Sequence, residues 1–390
     1  YETVPYDRGG QGVPFEQTLI ESRESFDRFD EAVTAPLMGI VDEPIVRPLW
    51  EHAREAIQRC GFAGCAIAQA RHAYESEVGL ESVEVPQSVV CRSLGFVDFT
   101  VQILREAERF RECYNSAADT FRAAHGIRSS AHPVPNLGRD GDWIETPLWL
   151  YGNQSPQRRG VWVRRVGAAI EITDRARRQR RIENIESADA AESLAGLFTP
   201  EFKLRSRALI TTMYARLVLS DLFLHGIGGG KYDELGGQIA ADFWGIQPPS
   251  FMVLSATVHL PGAERDSVEN VKSRIASMHR QTRDTIYQPE RFESADPNLV
   301  AAKRELLAKI PPRGQRSEWH HQLSQVNQQL SAELDDVRRS IRDEITRLEK
   351  RLRETLIWTS REHPFCIFPL EHLRGTFARM LGDGSSTRML

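Results

Sequence analysis

Apolar positions recur at helical spacing through the first third of the chain. A one-sided stripe from Ile45 to Ile57 predicts a helix that is capped by Asp42, carries Pro44 in its first turn and ends at Gly61. The same spacing predicts three further helices, over 63–78, 97–107 and 111–125.

The apolar period then changes to two. Alternating runs predict three strands of an antiparallel meander, over 143–151, 161–166 and 169–173. Helical spacing returns at 206–224 and 231–243, and the apolar run 251–260 is typical of a buried strand. This mixture of helices and strands predicts an α/β or α+β core.

The C-terminal third repeats its apolar residues in steps of three, four and four. Such an eleven-residue repeat keeps one stripe aligned along a nearly straight helix, here predicted over 317–359 and about 60 Å long at roughly 1.5 Å per residue. Partner helices are predicted over 266–286 and 297–310, so we expect a long antiparallel helical coiled-coil arm and a homodimer formed through it. A purely structural arm is the alternative. The stripe consists of Leu323, Val326, Leu330, Leu334, Val337, Ile341, Ile345, Leu348, Leu352 and Leu356.

These patterns divide the chain into a core over 1–262 with its meander near 143–173, an arm over 263–359 and a C-terminal return over 360–390. The sequence begins with Tyr rather than Met, which favours the later part of a longer protein. With 41% apolar and 27% charged residues, it has the composition of a globular protein. We expect a cytoplasmic protein because no stretch is apolar enough to span a membrane and no leader begins the chain.

The residues that follow the apolar segment at 217–224 predict a binding site. His225 precedes glycines at 226, 228, 229 and 230, which predict a turn that a ligand or another segment approaches closely. Lys231, Tyr232 and Asp233 open the next predicted helix, whose N-terminus favours an anion. We expect Gly228, Gly229, Gly230 and Lys231 to bind a small anionic metabolite and His225, Tyr232 and Asp233 to act on it. Close helix packing is the alternative explanation for these glycines.

A second group of polar residues surrounds the start of the predicted meander. Glu145 is a candidate general base, and Arg128 and His132 are candidate anion ligands. Together with Arg164 we expect them to form the wall that faces the glycine turn. A salt-bridged hairpin explains the same residues without a site.

Nine arginines lie between positions 158 and 181, against Glu171 and Asp174. They could bind phosphate or carboxylate groups, but a solvated surface is the favoured interpretation. The pattern disfavours nucleic acid as a partner, because no interleaved exposed aromatic residues are evident. No His or Cys spacing predicts a metal site, and the five cysteines favour free thiols.

The segment 204–260 carries a distant resemblance to a known family. It contains Arg207-Ala-Leu, Gly228-Gly229, Phe243 and Pro248-Pro249, and it is followed by a helical arm and the return Arg-Glu-His-Pro-Phe-Cys-Ile-Phe-Pro. This order of residues, together with the apolar run that ends the segment, resembles the cysteine-adding enzymes of bacillithiol synthesis. Where that family has Gly-Pro-Gly-Glu, this chain has Gly-Gly-Lys-Tyr, so the acidic role passes to Asp233 or is absent.

The resemblance implies a Rossmann-like core with an inserted coiled-coil arm. It also implies a carbon–nitrogen ligase that joins a thiol amino acid to an amino-sugar conjugate, with a nucleotide such as ATP or ADP bound near the arm. The family's early glutamine-containing loop has no counterpart here. A non-catalytic scaffold that acts through its arm is the alternative function.

Overall fold

The computed structural model describes residues 12–262, 267–292 and 295–382. The protein is an α+β protein, 57% helical, with a six-stranded antiparallel sheet. The described residues form two compact units. The first comprises 12–37, 44–256 and 377–382, and the second comprises 38–43, 257–262, 267–292 and 295–376. No helix among the described residues is long and apolar enough to cross a membrane.

The longer helices of the first unit bury one apolar face. Helix α3 (Val46–Cys60) ends where Gly61 adopts a left-handed conformation, as predicted, but Ile45 is its N-cap, so the predicted cap at Asp42 is wrong. The predictions of helices near 63–78, 97–107 and 111–125 are confirmed. In chain order the helices are α1 (Arg23–Asp27), α2 (Phe29–Thr34), α3 (Val46–Cys60), α4 (Ala63–Glu77), α5 (Gln87–Val90), α6 (Leu94–Arg105), α7 (Ala107–Ala124), α8 (Ala190–Gly196), α9 (Ala208–Tyr214) and α10 (Ile227–Trp244).

The strands of the antiparallel sheet are β1 (Arg139–Asp140), β2 (Trp143–Tyr151), β3 (Arg159–Val166), β4 (Ala169–Thr173), β5 (Gln179–Ile182) and β6 (Lys203–Ser206). Their order is β1-β2-β3-β4-β5, and β6 pairs with the C-terminal half of β2, whose N-terminal end pairs with β1. The three predicted meander strands are confirmed. One face, with Leu148, Leu150 and Val163 among its residues, is buried in an apolar core shared with α6 and α8.

A second, smaller sheet contains only two strands, β7 (Phe223–His225) and β8 (Phe251–Val253). They pair in parallel, and α10 connects them, so the segment 223–253 forms one β–α–β unit. The prediction of a buried strand over 251–260 is wrong, because the strand ends at Val253 and none of its three residues is buried. Leu254, 56% exposed, shows that this apolar run is not core throughout.

The second unit is built from α11 (Val268–Tyr287), α12 (Pro297–Ala308), α13 (Ser317–Ala332) and α14 (Asp335–Trp358). Helix α11 packs against α14, and α12 packs against α13. The single helix predicted over 317–359 is interrupted at Glu333 and Leu334. The last helix among the described residues, α15 (Leu370–Gly382), contains the boundary between the units.

Candidate functional site

The glycine-rich segment forms the start of a helix rather than a turn. Gly226 is the N-cap of α10, with φ of −74°, and the glycines at 228, 229 and 230 lie in the first helical turn. The Gly230 N–H donates to the Gly226 carbonyl at 2.9 Å. The predicted turn is therefore wrong: the helix begins four residues before Lys231. The N–H groups ahead of Gly230 have no carbonyl one turn earlier to bond, which is the general condition for an anion site at a helix N-terminus.

Two of these glycines are required by packing. A Cβ on Gly229 would lie 2.6 Å from His225 Nδ1, and a Cβ on Gly230 would lie 2.6 Å from Val253 Cγ2. The close-packing alternative therefore accounts for both. Gly228 differs, because a Cβ there would meet nothing within 4 Å. The space over Gly228 is open at the N-terminus of α10.

Asp233 is buried beneath this helical turn in an ion pair with Arg216. Arg216 Nη1 lies 2.6 Å from Asp233 Oδ2, and its Nε donates to the Pro249 carbonyl at 2.7 Å. The guanidinium also lies 4.7 Å from the centre of the Phe251 ring. Arg216 occupies a π-helical turn, Ala215–Leu219, that follows α9. This arginine was missed by the sequence analysis, although a lone arginine in an apolar segment signals a paired, buried charge.

His225 lies between the helix and the two-stranded sheet. Its ring makes edge contacts with Phe223 and Phe251, at centroid distances of 4.6 and 5.2 Å. The side chain is 7% exposed, and Nε2 lies 3.5 Å from Asp233 Oδ2. None of the described residues makes a hydrogen bond with Nε2, and Asp233 Oδ1 is likewise unsatisfied. The two predicted residues are thus adjacent, with unused hydrogen-bonding capacity.

Lys231 and Tyr232 are both exposed on the surface of α10. The Tyr232 ring lies 6.4 Å from that of Phe121, near the end of α7. The neighbouring Glu234 approaches His125 at 3.7 Å. Among the described residues, none forms an ion pair with Lys231, which lies one helical turn after the open position at Gly228.

Glu145 belongs to a different group of residues on the antiparallel sheet. Its Oε1 accepts a hydrogen bond from Arg207 at 2.5 Å, and its Oε2 accepts the Gly138 N–H at 2.9 Å. The Arg207 guanidinium stacks 4.3 Å from the Trp149 ring centre. Glu145 is therefore held as an ion-paired carboxylate, with a partner that the predicted hairpin does not contain.

The other members of the predicted wall are held away from α10. Arg164 forms an ion pair with Glu171 at 2.6 Å. Arg128 and His132 are exposed in a loop that Arg122 holds through the carbonyls of Ser130, His132 and Val134. Within the described ranges, no hydrogen bond or ion pair joins Arg128, His132, Glu145 or Arg164 to residues 225–233. The facing wall is not assembled by such contacts.

The described residues contain no cluster of three or more His, Cys, Asp or Glu side chains suited to a metal ion. The groups available for a ligand at α10 are backbone N–H donors, the Lys231 ammonium and the His225 imidazole. These suit a phosphate or carboxylate. Compared with known proteins, the chain matches no family model and no curated protein.

Proposed function

We propose that the β7–α10–β8 unit binds a small anionic metabolite at the N-terminus of α10. The observation that carries this proposal is the order strand, glycine-rich helix start, helix, parallel strand. In α/β folds, ligands bind beyond the carboxyl ends of parallel strands, where helix N-termini present N–H groups and a positive dipole. A Rossmann-like core is the wider proposal, of which this unit would be one part.

The open position at Gly228 gives the ligand direct access to the backbone. Two neighbouring glycines are explained by packing, but Gly228 is not, since a side chain there would point into free space. A glycine in a helix costs about 0.5–1 kcal/mol relative to alanine. Close approach of a ligand to the backbone would explain why glycine is used here in spite of that loss of stability.

The residues around this position have distinct roles in the proposal. Lys231 pairs with the anion, and His225 exchanges a proton with Asp233, whose Oδ2 lies 3.5 Å from the buried Nε2. Asp233 orients His225 and does not contact the ligand, because it is buried in its ion pair with Arg216. Tyr232 is exposed beside them and borders the ligand.

The reaction proposed from the resemblance is carbon–nitrogen ligation of a thiol amino acid to an amino-sugar conjugate. A nucleotide, ATP or ADP, is the anionic ligand that the resemblance favours. The helices of the second unit would then form the coiled-coil arm of that family. The alternative remains a scaffold that uses these helices to bind a partner.

Thermal unfolding with ATP, ADP, inorganic phosphate and amino-sugar phosphates tests the binding step. A ligand at 100 times its dissociation constant adds about 2.7 kcal/mol to the free energy of unfolding. Lys231→Met should reduce that stabilisation, because a charge-assisted hydrogen bond contributes about 1.5–3 kcal/mol. The matched control is Lys350→Met, an exposed lysine on α14.

Incubation with cysteine, an amino-sugar conjugate and ATP, followed by mass spectrometry, tests the reaction. A product equal to the two substrates less water supports the ligase. If a ligand stabilises the protein but no product forms, the proposed binding site stands and the proposed ligase reaction is contradicted. No stabilisation by any of these anions would remove the binding site as well.

A further inference from the structure

The nine arginines of residues 158–181 separate into two groups in the structure. Five form ion pairs with acidic side chains: Arg164 with Glu171, Arg165 with Glu186, Arg175 with Asp140, Arg178 with Asp174 and Arg181 with Glu183. The other four are exposed, and among the described residues no carboxylate lies within ion-pair distance of them. These four, which we name the basic end, are Arg158, Arg159, Arg177 and Arg180.

Strand register places the basic end at one end of the antiparallel sheet. Strand β3 begins at Arg159, and the antiparallel β4 ends at Thr173, which lies opposite Trp162 near the same end of the sheet. The turn 174–178 then leads into β5, whose Arg180 lies opposite Ile172. Because neighbouring strands are about 4.8 Å apart, the arginines of β3 and β5 belong to strands roughly 10 Å apart. The register also places Arg180 level with Val163, four residues along β3 from Arg159, so the basic end extends both across and along this end of the sheet.

The turn that carries Arg177 is rigidly held. Asp174 Oδ1 accepts the N–H groups of Ala176, Arg177 and Arg178 at 2.9, 2.8 and 2.9 Å. Arg178 fastens the turn to the rest of the sheet end, with its Nε 2.6 Å from the Glu201 carbonyl. A preorganised turn reduces the entropy lost when Arg177 binds a ligand.

Aromatic rings accompany these arginines. The Arg158 guanidinium lies 5.2 Å from the centre of the half-buried Trp149 ring, and that of Arg180 lies 5.4 Å from the Phe202 ring. The sequence analysis disfavoured nucleic acid because interleaved aromatic residues were not evident. The fold brings one half-buried ring, Trp149, to these arginines, whereas the Phe202 ring is part of the apolar core at 1% exposure.

We infer that the basic end binds single-stranded nucleic acid through its phosphodiester backbone. Four guanidiniums without acidic partners contact phosphates, and the Trp149 ring offers a stacking surface to a base when Arg158 turns to a phosphate. The net charge of the protein is −4, so attraction of a polyanion depends on this local cluster and not on the whole surface. The basic end shares no residue with the proposed site at α10, so either can fail independently.

Fluorescence anisotropy with labelled dodecamers of deoxythymidylate and uridylate tests the inference. The variant Arg159→Gln/Arg177→Gln/Arg180→Gln should bind at least tenfold more weakly than the natural chain. Its slope of log affinity against log salt should fall by about 2, because each phosphate contact on a single strand contributes about 0.7. Separate DNA and RNA arms identify which strand is bound more tightly.

The control is Arg313→Gln/Arg342→Gln/Arg353→Gln, which removes the same charge from exposed positions in the second unit. Equal weakening by both triple variants would overturn the inference, since it would reflect net charge alone. Absence of binding to either strand at 50 mM salt would also overturn it. If inorganic phosphate or a sulfated polysaccharide displaces the labelled strand as well as unlabelled nucleic acid does, the basic end binds anions in general and the inference is overturned.

Discussion

Individual residues around α10 have different structural roles that the sequence alone could not assign. The glycines at 228, 229 and 230 are identical in type, but the structure packs two against side chains and leaves Gly228 open. Asp233 and Glu145 could be selected as candidates from residue type. Their partners could not be deduced from the sequence, because Arg216 lies 17 residues from Asp233 and Arg207 lies 62 residues from Glu145 along the chain.

The contrast among the three glycines gives a stability prediction. Gly229→Ala and Gly230→Ala should each lower the free energy of unfolding by about 1–3 kcal/mol, since the new methyl group overlaps His225 or Val253. Gly228→Ala should leave stability unchanged or raise it, because the space is open and alanine favours a helix. Urea denaturation measures all three. Equal effects at the three positions would contradict the assigned packing.

Asp174 provides a prediction of pH dependence. Burial opposes ionisation, but the three backbone N–H groups and the Arg178 guanidinium together lower the pKa of this carboxyl below its ordinary value. Its contribution to stability is therefore present above the unfolded pKa of about 3.9 and is lost as pH falls through the lower folded value.

Asp174→Asn should accordingly destabilise the protein at pH 7 by about 1.5–3 kcal/mol, the range for hydrogen bonds to charged groups. The difference from the natural chain should shrink as the pH is lowered below about 4. Melting curves of both proteins from pH 3 to 7 measure this. A difference that does not change with pH would contradict a role for the ionised carboxylate.

At the scale of elements, periodicity predicted most helices and the meander, because one buried face leaves a repeating signal. Periodicity failed where tertiary contacts determine the length of an element. The apolar run at 251–260 forms only the short strand β8, and the helix over 317–359 breaks at Glu333 and Leu334. Asp335 and Asp336 follow the break, where acidic residues stabilise the N-terminus of α14.

The Arg216–Asp233 ion pair joins the end of α9 to α10 and should be strongly coupled. Arg216→Met should cost about 3–5 kcal/mol, because it leaves a buried carboxylate without its charge partner. The double variant Arg216→Met/Asp233→Leu should recover much of that loss. Urea denaturation of the single and double variants forms the cycle, and strictly additive losses would contradict direct coupling.

The described residues form two compact units, and the division into a core over 1–262, an arm over 263–359 and a C-terminal return over 360–390 stays a prediction. The prediction of a homodimer rested on an apolar stripe too long for its partner helices to cover. Within the second unit, however, Leu330, Leu334, Ile341 and Leu348 are buried by the chain itself. The residual apolar surface of the stripe includes Leu356, which is 48% exposed.

Light scattering of the natural chain and of Leu356→Lys tests the dimer at this surface. If the stripe is an interface, the natural chain has twice the monomer mass and the variant has the monomer mass. The exposed position Leu254→Lys in the first unit serves as the control and should leave the mass unchanged. A natural chain of monomer mass would remove the homodimer prediction.

Binding of an anion at the N-terminus of α10 is the central claim, and calorimetric titration of Gly228→Ala against Gly237→Ala tests it most directly. Both variants add one methyl group to α10, and at Gly237 it makes ordinary contacts, the nearest at 3.5 Å. With ATP and inorganic phosphate as probes, Gly228→Ala should weaken binding at least tenfold while its melting temperature is unchanged or higher. Gly237→Ala should bind like the natural chain. Undiminished affinity in Gly228→Ala would contradict the site.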